Sequence, residues 1–344
     1  MRIGTRASAL ALAQTRTVAD ALADTGHPDI EIIRLTTSGD RSDGDRSDGD
    51  RSGGDRSGVG SGGSGDGRSG SGDGRADSGD HDGGHPADKT RWVDTIEAAL
   101  RSGEIDLAVH SAKDVPGELA DGLTLLGSPP RADARDVLCG ADSLASLPAG
   151  AGVGTGSLRR AAQLRALRDD LEVVALGGNV DTRLRRLHEG ELAEGELAAI
   201  VLARAGLERL GRDTGVPLEQ LVPAPGQGAL ALEARRGDER VREAVAGLID
   251  PDTTACLQAE RALARARGAS CHTPLGAHAT PAGCGCLHLR AWVGLPDGSA
   301  WIADELVGGF YDPDALGARA AERMSAAGAR ELLQDAEAMA ASSA

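Results

Sequence analysis

Apolar positions recur along the first two-thirds of the chain in two rhythms, short runs that alternate in twos and longer stretches spaced by three or four residues. Arg2 to Thr5 reads as a strand, and Ser8 is placed to cap an Ala/Leu-rich helix reaching about Ala23. Glu31 to Thr36 is the next strand and Trp92 to Leu100 a helix, after which Ile105, Leu107 and Val109 alternate as a strand that delivers His110 to Pro116 as a loop. The order then repeats. Gly152-Val153 leads into Gly154-Thr155-Gly156-Ser157 and a helix through Arg168, Leu171 to Leu176 is strand, Asn179 to Leu187 helix, Ala198 to Ala203 strand, and a further helix ends at Leu210. Strands and helices alternating at this length predict a mostly parallel sheet covered by helices, with polar sites gathered at the strand C-terminal ends.

Beyond Pro251 the grammar changes. A helix from Thr253 to Arg267 is followed by a Gly/Ser/Cys loop, two apolar segments joined through Pro296-Asp297-Gly298 in the manner of a hairpin, and two Ala-rich helices, Asp314 to Ala327 and Ala329 to Ala341, broken at Gly328. This predicts a small α+β unit.

One stretch fits neither rhythm. From Asp40 to about Gly84 the chain repeats Asp-Arg-Ser-(Asp/Gly)-Gly and then runs in Gly, Ser and Asp, with Val59 its single large apolar residue. Such a segment has too little to bury to offset its chain entropy, so it is expected to be a disordered insert within a domain whose pattern continues on either side.

With 344 residues there is room for two or three cores, and aromatics at 1% leave Ala, Leu and Val to fill them. A net charge of -16 argues against nucleic acid as a partner. Lys89 and Lys113 are the lysines of the chain and arginine supplies every other cation, a balance suited to a high-salt cytoplasm. No apolar run is long enough to span a bilayer and no signal peptide is apparent, so the expectation is a cytoplasmic protein without a membrane partner. Cys139, Cys256, Cys271, Cys284 and Cys286 are an odd number in a long chain and are expected to be reduced thiols. The spacing of Cys284, Cys286 and His288 matches no common zinc pattern, and no metal is expected.

Four constellations carry candidate chemistry. In His110-Ser111-Ala112-Lys113-Asp114-Val115-Pro116 an ammonium and a carboxylate stand together at a strand end, with Pro116 restricting the backbone after them. Asp114 could stabilise a developing cation or move a proton, and the plain alternative is a salt-bridged turn. Gly154 to Arg160 brings Thr155, Ser157, Arg159 and Arg160 to a helix N-terminus, a carboxylate or phosphate cradle without the ending of a P-loop; a solvated helix start is the competing reading. Asn179 to Arg186 opens the next helix with Arg183 towards the same crevice, leaving Arg185 and Arg186 to solvent. The loop Gly268 to Gly276 carries Cys271 beside His272, as a reactive thiol or as a packing cysteine.

In this order the motifs resemble the porphobilinogen deaminase family over nearly the whole chain outside the insert. The resemblance rests on Arg2 to Ser8, His110 to Pro116, Val153 to Arg160, Asn179 to Arg183, Pro225-Gly-Gln-Gly228 and the Cys271 loop, and six ordered matches are far more specific than any one. It implies an α/β protein with two α/β domains like type II periplasmic binding proteins around a cleft and a small C-terminal α+β domain, divided as 1–129 with 228–248, 134–223 and 250–344.

The resemblance further implies one dipyrromethane cofactor bound covalently through Cys271, with Asp114 as the catalytic aspartate that assists loss of ammonia through an azafulvene-like cation. Lys113, Thr155, Ser157, Arg159, Arg160, Asn179 and Arg183 would grip the cofactor, and Arg6, Ser8 and Gln227 the substrate, porphobilinogen. Four substrates would be joined and released as hydroxymethylbilane by a monomer. Three departures stand out: Gly177 where the family has an arginine, Gly156 where it has a serine, and the acidic insert in place of a Gly/Lys-rich loop, with Lys89 and Trp92 its remnants. A non-catalytic protein that binds a small anion in the same cleft is the reading from another class.

Overall fold

The structure, a computed structural model, describes residues 1–36, 93–190, 196–268, 273–283 and 285–342. The insert, Lys89, Trp92, Cys271, His272 and Cys284 lie outside the described residues.

The first unit begins with β1 (Arg2–Arg6), α1 (Ala9–Asp24) and β2 (Glu31–Leu35). Ser8 caps α1 as expected, its hydroxyl accepting from the Ala11 amide at 3.2 Å. After the insert come α2 (Asp94–Ser102), closed by Gly103 in the left-handed conformation, and then β3 (Leu107–Ser111), a tight turn at Ala112–Asp114, and β4 (Leu123–Gly127). The chain crosses to a second unit of β5 (Asp136–Cys139), β6 (Gly152–Thr155), α3 (Leu158–Leu167), β7 (Glu172–Ala175), α4 (Val180–Glu189), β8 (Leu197–Ala203), α5 (Arg204–Arg209) and β9 (Val216–Pro217). It then returns as β10 (Leu230–Arg235) and α6 (Glu239–Val245).

Both sheets have the same wiring. The first runs β2-β1-β3-β10-β4 and the second β7-β6-β8-β5-β9. In each, one strand lies antiparallel to its two neighbours, and it is the strand delivered by a crossover from the other unit: β10 between β3 and β4, β5 between β8 and β9. The remaining strands run in one direction, so the sheets are mostly parallel and their loops at the strand C-terminal ends face a shared cleft. Two α/β units of this topology are the periplasmic-binding-protein-like arrangement of the type II class.

The third unit is α7 (Pro251–Ala266), the antiparallel strands β11 (Leu275–Pro281), β12 (Cys286–Gly294) and β13 (Trp301–Gly309), and the helices α8 (Pro313–Ala326) and α9 (Ala329–Ser342). β12 and β13 form the expected hairpin, and Gly328 with φ +96° separates the last two helices. Scarce aromatics are offset by close approach: a Cβ on Gly317 would collide with the Ala259 carbonyl and stand 2.7 Å from Ala262 Cβ, so α7 and α8 pack backbone to backbone. Trp292 joins this unit to the second through Ala162 and Val222.

Candidate active site

Strand ends of both sheets build one cleft. On the side of the first sheet, Arg6 ends β1 and Ser8 follows it, while His110 and Ser111 end β3 and Asp114 follows; these five share a cavity with Leu10 and Gln14 of α1. An adjoining cavity shares Leu10, Gln14 and Ser111 with it and is lined by Lys113 on one side and by Arg160, Val180, Arg183 and Arg209 of the second unit on the other. The two chambers therefore bring a carboxylate, an ammonium and four guanidinium groups from separate stretches of sequence to one place.

The cationic wall is held from behind by Asp136, the first residue of β5, which is 0% exposed. Its Oδ2 accepts from Arg159 Nη1 at 2.8 Å, and its Oδ1 accepts from Arg160 Nε and Gln227 Nε2, both at 2.8 Å. Burial alone would raise this carboxyl, but Arg159 and Arg160 overcome it and hold it well below the usual carboxylate range. One carboxylate against two guanidinium groups leaves a net positive wall. Arg159 also donates to the Val222 carbonyl at 2.7 Å and Arg160 to the Val201 carbonyl at 3.1 Å, and the Arg159 Nε is buried without a hydrogen-bond partner among the described residues.

Gln227 bridges the units. Its Oε1 accepts from Lys113 Nζ at 3.5 Å and from Arg160 Nη2 at 3.4 Å, while its Nε2 also donates to the Ala134 carbonyl at 2.7 Å. It is 1% exposed, so its polar atoms are engaged by protein groups, not directed to open solvent. Burial, reinforced by Arg160, pushes the Lys113 ammonium down to about 8, with Asp114 and Asp136 opposing.

The remaining expected residues fix local structure at the helix starts. The Thr155 Oγ1 accepts from the Ser157 amide at 3.3 Å, Ser157 caps α3 by accepting from the Arg160 amide, and Asn179 caps α4 by accepting from the Thr182 amide at 2.9 Å. Arg185 turns to solvent and pairs with Glu189. A Cβ on Gly156 would stand 2.8 Å from the Leu176 carbonyl and 3.3 Å from Arg183 Nη2, whereas one on Gly177 meets nothing within 4 Å. The two departures from the family pattern thus differ physically: the first lets Arg183 lie against bare backbone, and the second leaves room.

Several contributors escaped the sequence reading. Arg209 lies in a run of arginines with nothing to mark it, and Asp136 sits in a short strand not recognised as one. His110 pairs through Nε2 with Glu233 Oε2 of β10 at 2.9 Å, a contact that only the β3–β10 register creates. Glu260 of α7 accepts both ends of the Arg131 guanidinium, at 2.6 and 3.1 Å, together with the amides of Gly226 and Ala279, tying the third unit to both crossovers.

A family model described as porphobilinogen deaminase, dipyromethane cofactor binding domain, matches residues 1–48 and 71–243, and one described as porphobilinogen deaminase, C-terminal domain, matches residues 254–326. Porphobilinogen deaminase of Roseiflexus castenholzii is 42% identical over 341 residues, covering 97% of this chain and 98% of its own. That of Thiobacillus denitrificans is 46% identical over 251 residues, 71% of this chain and 80% of its own. A solved structure of the methionine binding protein MetQ is similar at 14% identity over 72% of this chain and 88% of its own, with a TM-score of 0.38.

Proposed function

Because the chain belongs to the porphobilinogen deaminase family, we propose that it is a hydroxymethylbilane synthase, EC 2.5.1.61, which joins four porphobilinogen molecules on a covalent dipyrromethane primer and hydrolyses the product from it. The observation that carries this reading is the convergence of Lys113, Arg160, Arg183 and Arg209 on a cleft that also holds Asp114. Each condensation forms one carbon–carbon bond, breaks the carbon–nitrogen bond of an aminomethyl group and releases ammonia.

The residues present fit a cofactor bearing acetate and propionate groups. The wall is cationic beyond what Asp136 neutralises. Lys113, Arg160, Arg183 and Arg209 would hold its carboxylates directly, with Arg159 and the Thr155, Ser157 and Asn179 helix starts shaping the cradle and Cys271 forming the thioether. Once bound, the dipyrromethane supplies an electron-rich pyrrole carbon as the point of chain growth. Arg6 and Ser8 would orient the incoming porphobilinogen, and the Asp114 carboxylate would accept from its pyrrole N–H and stabilise the positive charge that develops as ammonia departs. Gln227 acts by holding Lys113 and Arg160 in register.

We divide the chain functionally as 1–129 with 228–248, 134–223 and 250–344. The proposed setting is a monomer in a cytoplasm of high salt, which the net charge of -16 supports. The test is the intact mass of the full chain and of Cys271→Ala, before and after incubation with porphobilinogen, with Ehrlich's reagent on both. A mass excess equal to a dipyrromethane and a colour that the variant lacks are expected. A parent chain that stays unmodified and inactive would return the cleft to simple anion binding.

A further inference from the structure

The segment after β3 leaves the sheet ladder and must satisfy its backbone elsewhere. The Ala112 amide donates to the Ala229 carbonyl at 3.0 Å and the Val115 amide to the Ala112 carbonyl at 3.3 Å. Three consecutive carbonyls, from Val115 to Gly117, are all taken by one side chain. Arg261 of α7 donates from Nη1 to the Val115 carbonyl at 3.3 Å, and from Nη2 to the carbonyls of Pro116 at 2.7 Å and Gly117 at 3.0 Å.

Arg261 is 8% exposed, and its hydrogen-bond partners among the described residues are these three backbone oxygens. Glu233 and Glu118 favour its charge only through space, and burial, reinforced by Arg265, pushes the guanidinium down to about 10. A planar fork with several donors suits three consecutive carbonyls in a way that a single ammonium cannot. The segment so held begins one residue after Asp114. Arg261 itself stands ten positions before Cys271 (271 minus 261), on the helix that leads to it.

We propose that Arg261 is a positioning residue, through which the cysteine-bearing unit sets the placement of the Lys113–Asp114 loop in the cleft. The inference rests on the deaminase reading for its catalytic consequence, but the placement itself does not. A purely structural stitch between two units would stabilise the fold without acting on the loop, and the experiment separates the two.

Arg261→Lys and Arg261→Ala are made in the full chain and followed by hydrogen exchange, intact mass and turnover of porphobilinogen. Exchange at the Val115 amide should rise in both variants while that of Leu138 and Cys139 in β5 stays as in the parent. Both variants should carry the pyrrole mass, with kcat lowered about tenfold or more and KM changed far less, since small misplacements at a reacting centre are expensive. Arg261 also lines a groove between β4 and α7 with Thr124, Leu125, Leu257 and Gln258. Methylguanidine can therefore enter, and should restore part of the lost kcat to Arg261→Ala but not to Arg261→Lys.

Unchanged exchange at Val115 with parental kcat would overturn the proposal. So would a lowered kcat accompanied by faster exchange throughout all three units and no rescue. If the parent itself carries no pyrrole and turns nothing over, the deaminase reading fails, and the exchange arm alone decides whether Arg261 places the loop.

Discussion

The two five-stranded sheets share a strand order and differ in what they present at the same edge. The first offers Asp114 and Lys113 on a loop whose following backbone is held by Arg261, while the second offers guanidinium groups whose positions are fixed by a buried carboxylate, Asp136. Identical wiring has been given different charges, a mixed set of Arg6, Lys113 and Asp114 on one wall and guanidinium groups on the other. A substrate with carboxylates at its rim and a cation developing at its centre is met by guanidinium groups on one wall and by the Asp114 carboxylate on the other.

The contrast is broken most sharply by neutralising one carboxylate on each side. Asp114→Asn should lower kcat by about 10²–10³ with little change in denaturant midpoint, the scale expected for one electrostatic contact to a transition state. Asp136→Asn should do the reverse: with two buried guanidinium groups left without their anion, stability should fall by about 3–5 kcal/mol in urea unfolding. Similar midpoints for the two variants would mean that the walls are not differently built.

Lys113 sharpens the comparison through pH. Its ammonium is depressed from 10.5 to about 8, so between these values the folded chain has lost a proton that the unfolded chain keeps. Its contribution to stability therefore rises as pH passes from about 8 towards 10.5, while the cleft loses a cation. The grip on the cofactor's carboxylates should loosen above pH 8, so kcat should fall there in the parent, and Lys113→Gln should show a lowered kcat without that limb.

The smallest effects concern the two glycines. Gly177→Arg has open space and should lower KM by a few-fold, on the order of 1 kcal/mol for an added exposed charge near an anion. Gly156→Ser must displace the Leu176 carbonyl or Arg183 and should raise KM instead. If both changes improve binding, the second wall is softer than its geometry indicates.

The sequence made legible the elements that announce themselves locally. β1, α1, β3, α3 and α4 each combine an apolar rhythm with a cap or a turn, and Ser8, Ser157 and Asn179 were read correctly as helix starts because capping is decided within a few residues. The crossover strands were not legible. β5 opens on Asp136 and β10 contains Glu233, charges that suggest a surface until partners from elsewhere in the chain, Arg159 and His110, are in place to receive them. The same holds for Arg209 and Arg261: one short apolar helix or one Ala-rich helix does not distinguish an arginine that faces water from one that faces a cleft or a carbonyl cluster.

The position of β10 also sets an order of events during synthesis. The first sheet has a gap one strand wide between β3 and β4 until Leu230–Arg235 leaves the ribosome, by which time the whole second unit has been made. β3 and β4 both run antiparallel to β10, so they could close the gap prematurely only as a parallel pair, which the short segment from Ala112 to Gly122 is poorly suited to connect. The loop that carries Lys113 and Asp114 thus guards the vacancy for the strand that arrives last. A nascent chain stalled before Leu230 would hold two open strand edges, and such fragments are the ones a cell must shield or degrade.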